Sequence, residues 1–222
     1  MLGLLAATAR PSLRQIFPAF LCFPRLGIDL DSEILDVGCG SGHLLQTLGH
    51  FGFTKLYGVD QFIESDIRQA NGALIRKGGI EEISQAADLV MFHHSLEHMV
   101  DPLAALTNAH RLLRSGKYCI VRIPIVAAAW ERFGSDWVQL DAPRHVYLFT
   151  KSGFAAVANK AGFIVEHIVD DSTAFQFWGS AQVSAGVPLI DATKCGETYL
   201  KNVFGERIEE WETEAAALNA LG

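Results

Sequence analysis

Two carboxylates and three glycines carry the clearest chemistry in this chain. Asp36, Gly38, Gly40 and Gly42 stand in the run Ile34-Leu35-Asp36-Val37-Gly38-Cys39-Gly40-Ser41-Gly42, and Asp60 ends Lys55-Leu56-Tyr57-Gly58-Val59-Asp60. The pattern predicts an apolar strand, a glycine-rich turn opening a helix, and a second strand that finishes on an acid. A turn without Cβ atoms lets backbone N–H groups at a helix N-terminus approach a ligand, and an acid at the next strand tip accepts hydrogen bonds from ribose hydroxyls. That is the layout of a nucleoside-cofactor site. The dinucleotide fingerprint Gly-x-Gly-x-x-Gly seats a pyrophosphate on the helix. Here the spacing is Gly-x-Gly-x-Gly, and Asp36 adds a negative charge that repels a pyrophosphate and suits a cation. Cys39, inside the turn, reads as a small apolar filler.

At these positions the chain resembles the class I S-adenosylmethionine (SAM) dependent methyltransferases. The resemblance implies that Asp36, Gly38, Gly40 and Gly42 hold the amino acid end of SAM and that Asp60 takes the ribose hydroxyls. It adds Gln61 and Ile80 as cofactor contacts, although the short link from Asp60 to Asp88 leaves adenine recognition without a clear counterpart; Gly79, Ile80 and Glu81 are the candidates.

A second group of reactive side chains is His93-His94-Ser95-Leu96-Glu97-His98-Met99, before Asp101-Pro102. It is similar to a His-x-x-Glu-His segment in the small-molecule, ubiquinone-methyltransferase-like branch of the class. By that likeness His93, His94 and Ser95 line the cofactor or acceptor pocket, while Glu97 and His98 brace the loop. A metal is the competing account of these residues, but the order is not His-Glu-x-x-His and no further ligand cluster stands out, so no metal is expected. His93 or His94 is either a general base or a histidine simply hydrogen-bonded in place.

The third group is Asp141-Ala142-Pro143-Arg144-His145, with Phe149 and Thr150 following, which again resembles that branch. Arg144 can clamp an anionic or hydroxyl-rich acceptor and His145 can take its proton. The alternative is a structural bridge in which Arg144 pairs with Asp141 and Thr150 caps the next helix. The aromatic and hydroxyl residues of 171–180 read either as an acceptor wall or as core.

The elements that must position these groups alternate between strand and helix from residue 34 to about 170, which predicts a Rossmann-like three-layer α/β/α sandwich with a mainly parallel sheet. Leu44, Leu45 and Leu48 give the first helix its apolar face, with Gly49 and Gly52 ending it. Strands are expected at 73–75, 88–92, 118–123 and 163–169. Asp101-Pro102 marks a helix start, and that helix is expected to run to Ser115-Gly116; another is expected over 151–160. The class ends its sheet on an antiparallel strand, and none is evident here; either Phe175–Trp178 takes that place or the strand is missing. Residues 206–219 have the pattern of an amphipathic helix. Short helical spacing over 13–21 suggests a helix beside the cofactor mouth. The expected domains are an N-terminal helical or poorly ordered segment at 1–31, a SAM-binding domain at 32–180 and a C-terminal helical extension at 181–222.

Composition narrows the class of activity. Half of the 222 residues are hydrophobic, enough to bury a core without disulfides or metal, and the net charge of −7 without a basic run argues against a nucleic-acid partner. The four cysteines are far apart, as in a cytoplasmic protein, and the apolar stretch at 2–7 lacks the basic flank of a signal peptide and is too short for a membrane span. The expectation is a SAM-dependent methyltransferase that acts on a small molecule at oxygen, with a homodimer left open. A SAM-binding protein or partner subunit without turnover is the main alternative, and an NAD(P)-dependent oxidoreductase is disfavoured by the glycine spacing and Asp36.

Overall fold

Strand β1 (Ile34–Val37) is buried along its whole length because it lies between two parallel neighbours, β2 (Leu56–Asp60) and β5 (Ala87–His93). A strand covered on both faces has no reason to alternate polar and apolar residues, so Asp36 is the exception that requires a functional explanation. The computed structural model describes residues 22–189 and 203–220. Its sheet adds β3 (Ile67–Arg68), β4 (Leu74–Lys77) and β6 (Leu113–Arg122) in the order β3-β4-β2-β1-β5-β6. All pairings are parallel except β3 with β4. This is the expected mainly parallel α/β architecture. The C-terminal tips of β4, β2, β1 and β5 therefore stand side by side, where open sheets of this kind bind ligands.

Helix α1 (His43–His50) follows the glycine turn and buries Leu45 and Leu48 against the sheet. They join Ile34, Phe53, Leu56, Ile75, Leu89 and Met91 in one apolar cluster, closed by the edge-to-face pair Phe23–Phe53 at 5.8 Å. Truncating Leu48 to alanine is expected to cost about 2–5 kcal/mol of stability, because a fully buried leucine leaves a cavity; a denaturant melt would measure it. Helix α2 (Pro102–Leu112) starts as expected: the Asp101 carboxylate accepts from the Ala104 N–H at 2.9 Å, with Pro102 at the first turn.

By its internal contacts the chain divides into a first unit, residues 1–123 and 157–163, and a second, residues 124–156 and 164–222. The second holds α3 (Ala128–Phe133), α5 (Phe175–Ser184) and α6 (Arg207–Ala220); α4 (Lys151–Lys160) runs through the boundary. Trp137, Phe177 and Trp211 form the centre of the second unit's core. Ser180 in α5 accepts the Val138 N–H at 2.9 Å, tying the loop before Asp141 to that helix.

Several expected elements differ. Residues 163–169 form no strand: Ile164 and Val169 are 85% and 78% exposed, and a β-pattern without a neighbouring ladder has nowhere to place its backbone hydrogen bonds. Phe175–Trp178 begins a helix, so no antiparallel strand follows β6 in the described residues. Helix α2 ends at Leu112 rather than at Ser115-Gly116, because Leu113 is already paired with Ala87 of β5. Gly49 lies inside α1 instead of ending it. The helix expected over 13–21 lies outside the described residues.

Candidate functional site

The three glycines of the turn after β1 all adopt positive φ (Gly38 72°, Gly40 53°, Gly42 81°), a conformation that disfavours a side chain. Gly38 is confined further, since a Cβ there would collide with Ser95. Ser95 itself is buried, and its hydroxyl donates to the Val37 carbonyl at 2.6 Å, which fastens the start of the turn to the end of β5. Cys39 packs over Gly58, where a Cβ would stand 2.5 Å from its sulfur, and burial beside Asp36 and Asp60 pushes its thiol pKa upward. It acts as the small filler its position suggested.

Asp60, at the tip of β2, is the joint of the site. One carboxylate oxygen accepts the Gly40 N–H at 2.8 Å and the other accepts the Phe62 N–H at 2.8 Å. Each oxygen keeps a second lone pair for a ligand hydroxyl. The Asp60 carbonyl accepts the Gly78 N–H at 3.1 Å, which brings the turn carrying buried Ile80 to the same strand tip. Gln61 is exposed beside it.

Asp36 is 2% exposed, and its Oδ1 has no hydrogen-bond partner. Desolvation, reinforced by the neighbouring Asp60 charge, raises its pKa to about 8. A carboxyl so disfavoured as an anion is ready for a cation, whose approach would restore the ionised form. Phe62 was not singled out in the sequence. It is 90% exposed although aromatic, and it is held at the Asp60 tip by the bond to its own N–H. The available signal was an aromatic residue two positions past the acid.

Beyond β5, His94 has φ 51° and its Nδ1 lies 3.6 Å from the carboxylate of Glu97, which is 1% exposed. His93 continues β5, paired in register with Arg122 of β6. Asp36, the three glycines, Asp60, Ile80, His93 and Ser95 thus all belong to the strand tips and turns of the first unit.

Arg144 and His145 belong to the second unit and are gathered by Asp141. Arg144 Nη2 donates to Asp141 Oδ1 at 2.6 Å, and His145 Nε2 stands 3.8 Å from Asp141 Oδ2. His145 Nδ1 lies 2.7 Å from the Gln139 carbonyl. A carbonyl only accepts, so Nδ1 carries a proton and the neutral ring has its lone pair on Nε2. Thr150 accepts the Gly153 N–H at 3.0 Å. Both the Asp141–Arg144 pair and the Thr150 cap of the structural alternative are therefore present.

Residues 9–168 match the model of a family described as a methyltransferase domain. Over 110 residues the chain is 35% identical to the tRNA U34 carboxymethyltransferase of Alteromonas mediterranea, covering 42% of this chain and 33% of that protein. Over 158 residues it is 26% identical to the ubiquinone biosynthesis O-methyltransferase of Cereibacter sphaeroides, covering 58% of this chain and 62% of that protein. The match thus spans about a third of the first relative and about three-fifths of the second. The fold is similar to that of the cyclopropane synthase MmaA2 from Mycobacterium tuberculosis, with TM-score 0.57 and 15% identity over 96% of this chain and 80% of that one.

The residues present fit SAM. Buried Asp36 suits a cation, Asp60 has acceptor capacity for a ribose diol, and Phe62 offers an exposed aromatic face beside it. With the family model covering most of the chain, a mainly parallel Rossmann-like sheet beneath and these groups at its strand tips, the chain belongs to the methyltransferase-domain family of class I SAM-dependent methyltransferases, and its cofactor is S-adenosylmethionine.

Proposed function

We propose that this chain transfers a methyl group from SAM to an oxygen of a small-molecule acceptor. The observation that carries the reading is the Asp60 carboxylate, which is bonded to the glycine turn and retains acceptor capacity, together with buried Asp36 in β1, two residues before the first glycine of that turn. The ubiquinone O-methyltransferase relatives support oxygen as the methylated atom. A net charge of −7 favours an uncharged or weakly charged metabolite over a tRNA. SAM supplies the activated methyl group. Asp36, the glycine turn, Asp60, Gln61, Phe62 and Ile80 hold it, with His93 and Ser95 at the neighbouring strand end. Most of the acceleration then comes from holding the acceptor in line, and the rest from removal of its proton.

His145 is the first choice of base, through Nε2, with the Gln139 carbonyl holding the ring at Nδ1 and Asp141 stabilising the imidazolium once it forms; His93 or His94 is the alternative. Arg144 extends toward solvent and is available to an anionic or hydroxyl-rich acceptor such as a sugar or a phenol. The test is S-adenosylhomocysteine formation across a panel of phenols, sugars and hydroxy acids. His145→Ala is expected to slow turnover roughly 100-fold or more while SAM affinity is retained. Unchanged turnover would remove His145 from the mechanism. SAM binding with no product from any acceptor would favour a partner subunit or non-catalytic relative, the reading suggested by the lack of an antiparallel strand after β6 in the described residues.

Phe62→Ala is expected to weaken SAM binding roughly 5- to 100-fold with the unfolding temperature unchanged, since an exposed aromatic contributes little to the core but about 1–3 kcal/mol when a base stacks on it. Titration calorimetry and a thermal melt on the same variant check both halves.

A further inference from the structure

Strands β2 and β4 are parallel neighbours joined by residues 61–73, a length that ordinarily carries a crossover helix. Here the connection holds turns and the two-residue strand β3. Two of its amides reach α1. Gln69 Nε2 donates to the Ser41 and Gly42 carbonyls at 2.9 and 2.8 Å, and Asn71 Nδ2 donates to the Leu45 carbonyl at 3.1 Å. Asn71 is steadied by its own Oδ1, which accepts the Ala73 N–H at 3.0 Å.

Both amides enter where a glycine leaves room. A Cβ on Gly42 would stand 2.7 Å from Gln69 Nε2, and one on Gly49 would collide with the Asn71 amide. Gly42 and Gly49 are two helical turns apart and so share a face of α1, while Gln69 and Asn71 lie in one tight turn, closed by the Gly72 N–H on the Gln69 carbonyl at 2.9 Å. The pairing of glycines with amides makes a joint between the connection and the helix that carries the cofactor turn. Its two halves differ in what they hold: Asn71 grips the body of the helix, whereas Gln69 grips the turn.

We propose that Gln69 is a positioning residue for the cofactor, an inference that rests on the SAM-binding reading above. Its two N–H bonds fix the carbonyls of Ser41 and Gly42, and because each peptide group is planar they also fix the directions of the Gly42 and His43 N–H groups at the start of α1. Gln69 Oε1, buried with no hydrogen-bond partner, leaves an acceptor at the same place. The connection that replaces a crossover helix therefore sets the shape of the SAM-binding turn without needing to touch SAM.

The test compares Gln69→Leu, the milder Gln69→Met, Gln69→Glu and Asn71→Leu with the wild-type chain, reading the SAM dissociation constant by calorimetry and the unfolding temperature without SAM. Both leucine variants lose amide bonds to α1 and are expected to lower the unfolding temperature. Only the Gln69 variants are expected to weaken SAM, roughly tenfold for leucine or methionine. Glutamate should weaken it further, since a carboxylate would face two carbonyl oxygens. With a turnover assay in hand, KM for SAM should rise in the Gln69 variants while kcat is kept. If the Gln69 and Asn71 variants lose stability but bind SAM like the wild type, the proposal is overturned and the SAM-binding reading stands. A wild-type chain that binds no SAM overturns both.

Discussion

Asp60→Ala is expected to weaken SAM binding by at least about 100-fold, because hydrogen bonds to a charged group contribute roughly 1.5–3 kcal/mol each and a ribose diol offers two. The same substitution releases the Gly40 and Phe62 N–H groups, so the glycine turn loses its anchor at the β2 tip. The effect on binding therefore has two sources: lost contact and a less ordered turn. A thermal melt without SAM separates them. A fall in unfolding temperature reports the anchor, and the remaining loss of affinity, measured where the variant is fully folded, reports the contact. Titration that gives the wild-type affinity in a folded Asp60→Ala protein would sink the placement of the ribose on this carboxylate.

SAM affinity should also rise with pH through the region near 8, and Asp36 is the reason. Its carboxyl is raised to about 8, first by desolvation and then by the Asp60 charge, so near pH 6 it is protonated and has no charge to offer a cation. As pH rises through 8 the anion forms and binding tightens. Conversely, a bound cation lowers the Asp36 pKa, so binding below pH 8 releases a proton. Calorimetry in two buffers of different ionisation enthalpy should detect that proton at pH 7, and Asp36→Asn should bind SAM with a flatter pH profile and no release. A wild-type profile flat from pH 6 to 9 would mean that Asp36 does not face the cation. Stability without SAM follows the opposite direction. A carboxyl whose folded pKa is raised above its unfolded value stabilises the fold fully below about pH 4. That contribution is lost as pH rises to 8, because the unfolded chain ionises first. Asp36→Asn should reduce this loss, which denaturant melts at pH 5 and pH 8.5 would show.

Much of the site was legible because its signals are local. The turn after β1 requires glycines whatever lies around it, the Asp101-Pro102 cap lies within one helical turn, and an acid ending an apolar run marks a strand tip. Asp36, Gly38, Gly40, Gly42 and Asp60 therefore stood out from type and spacing alone. Phe62, Gln69 and Asn71 did not. An exposed aromatic and two amides in a polar stretch resemble any surface loop until the chain is folded and their partners are seen.

The residues 163–169 mark the same limit from the other side. Phe163-Ile164-Val165 and Ile168-Val169 have strand composition, yet no ladder partner adjoins them and they form no strand. Likewise Phe175–Trp178, as apolar as a strand, winds into α5 because Phe177 and Ser180 pack on the loop and core of the second unit. Types and spacing along the chain were sufficient for the glycine-rich turn, the α/β alternation and the chemical nature of the candidate groups, since each depends on backbone geometry within a few residues. Which strands found partners, that Asp36 lies dry enough to hold its proton near neutral pH, and that Gln69 grips the glycine turn were decided only by the tertiary fold, because pairing, desolvation and amide–carbonyl contacts between residues 27 and 28 positions apart arise only when distant segments meet.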